Sequence, residues 1–280
     1  MLGKSIDDLR DSRGSFSMVA IDQRGSLRTM LARGGDVESV RDDQLVAFKL
    51  EVARALSASA SAILVDRAFG KEAALASECP VILAADTLAS SVPGGAVDLA
   101  DLDPNVTAEV AEEFGASALK MLVPWTPETR DTAVALSERF MTLCRQTGLP
   151  GIVEGVFRPA DLPSYSDNER DEALVAAARD LASTRPDMYK AEVPSYGRGD
   201  RRSITAAAAR ISDVLDCPWV VLSSGVALDD FPAAVAACRE GGASGFLAGR
   251  AIWADAIGAE DSTSLLQTVS TSRLRRMAAQ

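Results

Sequence analysis

Only five lysines occur in the chain, Lys4, Lys49, Lys71, Lys120 and Lys190, against 24 arginines and no histidine. Two of the five interrupt apolar, strand-like runs: Lys120 in Ser117-Ala-Leu-Lys-Met-Leu-Val123, and Lys190 in Asp187-Met-Tyr-Lys-Ala-Glu-Val193. A cation buried in such a run costs several kcal/mol unless it is paired or neutralised. A desolvated lysine beside a second cation gives up its proton more readily, and the free amine attacks carbonyls to form a Schiff base. Without histidine, proton transfer falls to carboxylates, a tyrosine or a lysine. Lys190 is the candidate nucleophile. Lys120 is either the neighbouring cation or a donor to a substrate hydroxyl, and a buried ion pair with Glu154 or Asp22 is compatible with both. Glu154, central in Ile152-Val-Glu-Gly-Val-Phe157, is the candidate proton shuttle. Asp22, followed by Gln23 and Arg24, can bind a substrate hydroxyl, orient Lys190, or merely cap a helix starting near Gly25. This set outlines a Schiff-base aldolase.

The elements that must position these residues are legible as a repeat. Near-continuous apolar runs at 15–22, 61–66, 80–86, 117–123, 151–157, 187–193, 219–224 and 244–248 read as parallel strands covered on both faces. Helical patterns lie at 42–57, 105–115, 128–147, 168–183, 201–215 and 228–241, with further helices at 70–78 and 261–279. Eight strands, each followed by a helix, give a (β/α)₈ TIM barrel as a single α/β domain over residues 1–280. An amphipathic piece at 5–12 is expected to cap the barrel bottom. The C-terminal strand ends carry the functional side chains of such barrels. Those ends supply Asp22, Asp66, Asp86, Lys120, Glu154, Lys190 with Glu192, Ser223 to Gly225, and Gly249 with Arg250. Alternation sends Lys190 and Glu192 to the same interior face, so their mutual pairing is the bland alternative for Lys190. Asp66 and Asp86 are ambiguous, because loop aspartates are often caps.

An anion site is expected at the last two strands. Ser223, Ser224, Gly225 and Gly249 let backbone N–H groups approach a ligand, and Arg250 adds a charge suited to phosphate or sulfonate. Composition narrows the rest. A net charge of −11 argues against nucleic-acid and anionic-membrane partners, so a phosphate site must be a local basic island. The four cysteines are scattered, as for reduced thiols of a cytoplasmic protein. No signal peptide or membrane span is expected. Without histidine or paired cysteines, metal catalysis is poorly supported, and no cofactor is called for.

The segments AIDQRGSLRTM (20–30), SAILVDRAFG (61–70), ALKMLVPW (118–125), IVEGVFRP (152–159), DMYKAEVPSYGRG (187–199), WVVLSSGV (219–226) and GASGFLAGRAIWA (242–254) resemble the tagatose-1,6-bisphosphate aldolase family. Within it they resemble most the sulfofructosephosphate aldolase branch, through VFRP after Glu154 and PSYGRG after Glu192. The chain departs from that branch at Ser195 and Arg198, and at Gly25 and Ser26 after the first strand. The resemblance implies a metal-independent class I retro-aldol reaction on a phosphorylated sugar, with Lys190 as Schiff-base lysine and Glu154 as acid/base. It implies supporting roles for Asp22, Gln23 and Lys120, and a dihydroxyacetone-phosphate site at Ser224, Gly225, Gly249 and Arg250. The expected substrate is 6-deoxy-6-sulfofructose 1-phosphate, whose C6 end would meet the basic residues Arg24, Arg28, Arg158 and Arg198. The rival substrates are tagatose and fructose 1,6-bisphosphate. The rival class is an aldolase-derived barrel that binds sugar phosphates and regulates a partner. A homo-oligomer is expected.

Overall fold

The computed structural model describes residues 4–92 and 95–279. Its strands are β1 (Phe16–Ala20), β2 (Ile63–Asp66), β3 (Val81–Ala84), β4 (Asp86–Ala89), β5 (Leu99–Leu102), β6 (Ala116–Trp125), β7 (Gly151–Phe157), β8 (Met188–Glu192), β9 (Trp219–Leu222) and β10 (Gly245–Ala248). Eight of them close into a parallel barrel in the order β1-β10-β9-β8-β7-β6-β3-β2, and β4 and β5 form a separate antiparallel hairpin. The expected eight-stranded barrel is therefore the observed fold.

Alternation along each strand divides the apolar residues into two sets. One set, including Val19, Val65, Leu83, Met121, Val153, Tyr189 and Val221, faces the helices. The other, including Met18, Leu64, Ile82, Ala118, Ile152, Met188, Val220 and Leu247, fills the barrel. The expected cap is a single 3₁₀ turn, Ile6–Leu9, whose Leu9 is buried with that interior set. Ser5 and Asp8 close the turn with a reciprocal capping box.

The helices are α1 (Gly25–Ala32), α2 (Asp42–Leu56), α3 (Lys71–Leu75), α4 (Ala108–Glu113), α5 (Arg130–Thr147), α6 (Asp167–Ala182), α7 (Arg201–Ser212), α8 (Phe231–Glu240), α9 (Arg250–Trp253), α10 (Ser262–Leu265) and α11 (Thr271–Ala278). Side-chain caps start several of them: Thr107 for α4, Ser166 with Glu169 for α6, and Asp200 for α7. The expected helix at 261–279 is formed by α10 and α11 joined by a π-helical stretch, Leu266–Ser270.

The hairpin departs from the expected alternation of strand and helix. It lies between β3 and α4, where the sequence pattern predicts nothing. Leu88 and Ala100, with Val97, pack against Leu122, Val156 and Leu222, which form the uppermost apolar layer inside the barrel. The hairpin thus lies over the C-terminal mouth.

Because Leu9 is fully buried against the barrel interior, Leu9→Ala should remove about 2–5 kcal/mol of stability. Urea unfolding would show this as a lowered midpoint at unchanged slope.

Candidate active site

Strand register brings the first pair of charges together. Glu154 on β7 and Lys190 on β8 are direct register partners, and Lys120 on β6 aligns with Ile152, one interior position lower on β7. All three side chains point into the barrel and are almost completely buried (Lys120 1%, Lys190 4% and Glu154 6% exposed). One oxygen, Glu154 Oε2, lies 2.6 Å from Lys120 Nζ and 3.1 Å from Lys190 Nζ. Both lysines thus converge on the same carboxylate oxygen.

Lys120 is held by two further carboxylates, Asp22 Oδ2 at 3.1 Å and Asp86 Oδ2 at 3.3 Å. Burial opposes its charge, but Asp22, Asp86 and Glu154 outweigh burial and hold Lys120 above the usual lysine range. It is a permanent cation. Burial likewise works against the charge of Asp22 and of Glu154. In both, Lys120 and Lys190 prevail and keep the carboxyl below its ordinary range. Asp22 is not a helix cap: the residue preceding α1 is Arg24, and its side chain makes no capping bond.

The remaining charges extend this cluster outward. Asp86, at the root of the hairpin, accepts from Leu122 N at 2.9 Å and from Arg24 Nη2 at 2.7 Å, while Arg24 Nη1 donates to the Asp86 carbonyl at 2.7 Å. Arg24 Nε also lies 3.9 Å from Asp66 Oδ2. Burial disfavours the Arg24 charge, yet Asp86, Asp22 and Asp66 raise its pKa. Asp66 accepts from Phe69 N at 2.9 Å and pairs with Lys49, whose Nζ donates to the Ile21 carbonyl at 2.6 Å. Burial lowers the pKa of Lys49 against the pull of Asp66.

Lys49 is the member the sequence reading missed. Its signal was present, since it falls on the buried stripe of α2 with Leu45, Phe48, Val52, Ala53 and Leu56. Asp66 and Asp86, ambiguous in sequence, are both built into the cluster, and Asp66 also caps its own turn. The pairing of Lys190 with Glu192 is not what forms. Glu192 accepts instead from Phe157 N at 2.9 Å and Arg158 Nη1 at 3.1 Å, and pairs with Arg170 at 3.3 Å. Tyr189, the tyrosine beside Lys190 in sequence, faces the helices from the outer side of β8, where burial pushes its phenol up.

The expected anion-site residues also converge. Arg250 Nη2 lies 3.5 Å from Ser224 Oγ, joining the loops after β9 and β10. Ser223 is half-buried at the end of β9, and its carbonyl accepts from Val226 N at 3.2 Å. Gly249 has no room for a side chain, because a Cβ would stand 2.4 Å from the Ala20 carbonyl oxygen and 3.0 Å from Gln23 Nε2. Gln23 therefore borders this loop, and its Oε1 is buried without a hydrogen-bond partner. Arg28 does not join the mouth cluster: its guanidinium binds the Val40 carbonyl and Asp42.

A family model for the DeoC/LacD family aldolase matches residues 16–255. The chain belongs to this aldolase family. It is an enzyme, a lyase. The chain is 28% identical to tagatose 1,6-diphosphate aldolase 1 of Enterococcus faecalis, across 98% of this chain and 92% of the relative. It is 30% identical to tagatose 1,6-diphosphate aldolase 2 of the same organism, across 90% and 83%, and 29% identical to a tagatose 1,6-diphosphate aldolase of Listeria monocytogenes, across 89% and 80%. The aldolase also superposes on a solved Schiff-base-forming fructose-1,6-bisphosphate aldolase with TM-score 0.67 and 17% identity, covering 97% of this chain and 96% of that one. An archaeal fructose-1,6-bisphosphate aldolase gives TM-score 0.66 at 18% identity, covering 96% of each chain. At these identities the solved structures establish the shared barrel.

Removing the cation at the centre leaves Asp22, Asp86 and Glu154 without it. Lys120→Met should cost about 3–5 kcal/mol at neutral pH. Without Lys120, burial weighs more heavily on Asp22 and Glu154 and raises their folded pKa values above those of the wild type, so the penalty applies above that raised range and narrows as they protonate. Urea titrations should show the deficit against the wild type narrowing as pH falls toward about 4. A deficit that stays constant or widens on acidification would contradict the assigned charge balance.

Proposed function

We propose that this aldolase is a class I enzyme that cleaves a ketohexose 1-phosphate through a Schiff base on Lys190. The observation that carries the reading is the single Glu154 oxygen shared between a permanent cation, Lys120, and a second lysine, Lys190. Uncharged Lys190 Nζ attacks the C2 carbonyl carbon, and the carbinolamine takes up a proton through Glu154 and loses water to give an iminium ion. Glu154 takes the proton of the C4 hydroxyl as the C3–C4 bond breaks and the aldehyde half leaves. The bonding pair passes into the iminium, giving an enamine. Protonation of that enamine at C3 and addition of water release dihydroxyacetone phosphate and the free amine. Lys120 stabilises the oxyanion forms beside it, while Asp22 and Gln23 orient substrate hydroxyls. Ser223, Ser224, Gly225, Gly249 and Arg250 hold the C1 phosphate.

The names of the relatives favour tagatose 1,6-bisphosphate as substrate. A second reading, 6-deoxy-6-sulfofructose 1-phosphate giving 3-sulfolactaldehyde, is favoured by the state of the arginines expected at the distal end. Arg24 is paired with Asp86, Arg28 with Asp42, Arg158 with Glu192 and Arg198 with Asp167. A site whose cations are already neutralised suits a singly charged sulfonate better than a phosphate. A regulator that only binds sugar phosphates would have no use for the lysine pair.

Borohydride with dihydroxyacetone phosphate should add one triose-phosphate mass at Lys190, and a label on Lys120, or none, would sink the assignment. Glu154→Gln should still accept that label while turnover falls by roughly 10²–10⁴-fold; near-full turnover would make the carboxylate structural. Substrate choice is settled by kcat/KM for the C6 phosphate and C6 sulfonate substrates. A preference of about tenfold or more for the bisphosphate supports the first reading, and the reverse ratio supports the second.

A further inference from the structure

Immediately after β8, Ser195 and Tyr196 both adopt left-handed backbone conformations, with φ of 48° and 52°. A left-handed residue other than glycine costs roughly 1–2 kcal/mol, so two in succession persist only where surrounding contacts enforce them. Those contacts are present. Asp171 accepts from Ser195 N at 2.7 Å and from Ser195 Oγ at 2.6 Å. The Arg170 guanidinium lies over the Tyr196 ring, with Cζ 3.6 Å from the centroid. Arg170 is itself fixed, its Nη1 donating to the Val193 carbonyl at 3.1 Å and its Nη2 lying 3.3 Å from Glu192.

The edge of the same ring abuts the loop after β9. A Cβ on Gly225, whose φ is +78°, would stand 2.4 Å from Tyr196 Cδ1 and 2.5 Å from Cε1. Gly197 packs beside it, a Cβ there standing 3.1 Å from Val226. Gly225 follows Ser224, the residue in contact with Arg250. The atoms that meet Gly225 are ring carbons, so the ring makes this connection. The ring therefore joins two things: the strand end that carries Lys190, and the backbone of the β9 loop.

We propose that Tyr196, clamped by Arg170, is a positioning residue that holds the Ser224–Gly225 backbone where it binds the phosphate of a triose phosphate. The inference rests on the Schiff-base reading given above, which makes that phosphate the neighbour of the carbonyl attacked by Lys190. The ring is a flat, rigid stop, and Gly225 is the residue that lets the loop reach it. Without the stop, the loop is free to move relative to Lys190, and displacements of about 1 Å at such sites carry large losses.

The test uses the full chain and two probes, dihydroxyacetone phosphate and dihydroxyacetone, each trapped on Lys190 with borohydride and read by mass. Tyr196→Ala and Tyr196→Leu should raise the concentration of dihydroxyacetone phosphate giving half-maximal labelling by about tenfold or more. The maximal labelling, and the labelling by dihydroxyacetone, should match the wild type, since that ligand lacks the group the loop holds. Tyr196→Phe should restore the wild-type response to the phosphorylated probe. Equal losses for both probes would make Tyr196 merely structural, and no loss for either would remove it from the site; both overturn the proposal. A Phe variant as impaired as the Ala variant would assign the hydroxyl to the ligand and overturn the platform. Failure of the wild type to label with either probe would instead overturn the Schiff-base reading, and this inference with it.

Discussion

Charge balance inside the barrel mouth is the constraint on which the rest of the site depends. Lys49, Arg24, Lys120 and Lys190 alternate with Asp66, Asp86, Asp22 and Glu154 in one connected network of ion pairs. None of these charges could be buried alone, because desolvating one ion costs several kcal/mol even after relaxation. Together they are equal in number and each touches an opposite charge. The network is uneven in a useful way. Lys120 lies against three carboxylates, whereas Lys190, at the end of the network, is paired only with Glu154 among the described residues. That asymmetry matches the proposed division of labour: the heavily paired lysine is the fixed charge, and the terminal lysine is the amine that reacts.

The fold delivers this arrangement by register rather than by local sequence. Residues of interior parity on β6, β7 and β8 fall into layers, with Ala118, Ile152 and Met188 below and Leu122 and Val156 above. The polar layer is therefore sandwiched between apolar ones, and the hairpin β4–β5 rests on the upper layer. Asp86 ties that hairpin to the network, because the same carboxylate binds Lys120, Arg24 and the backbone of β6. The covering element and the buried charges are thus one mechanical unit.

The barrel and the central residues were legible in the sequence for the same physical reason. A lysine or glutamate inside a four- to seven-residue apolar run is conspicuous, and in a parallel barrel such a residue has only the interior to enter when its parity is right. The hairpin was not legible because each strand has only four residues and, Asp86 apart, none is buried, too little for a period to emerge. Lys49 was missed because helix periodicity tolerates one polar residue in an apolar stripe, and nothing in the sequence shows that Asp66 waits opposite. The partners of Glu192 were missed for a related reason. Parity places Glu192 on the same face as Lys190, but the lateral positions of Arg158 and Arg170 come from a loop and from α6, whose approach no strand pattern encodes. Arg28 illustrates the reverse error, since a basic residue near the first strand end is spent on Val40 and Asp42 instead of the mouth.

The distribution of engaged and unengaged cations finally gives the mouth a direction. In a chain of net charge −11, an anionic ligand is drawn in only where positive charge is left uncompensated. At the strand ends of β1, β7 and β8, Arg24, Arg158 and Arg198 each face a carboxylate. Across the mouth, Arg250 is exposed and its guanidinium has one hydrogen-bond partner among the described residues, the Ser224 hydroxyl. The field is therefore strongest at the β9 and β10 loops and weakest at the opposite rim. A substrate with a phosphate at one end and a second anionic group at the other gains most by turning its more highly charged end toward Arg250. That orientation is also the one the proposed mechanism requires, because the carbonyl next to the phosphate is the one Lys190 is proposed to attack.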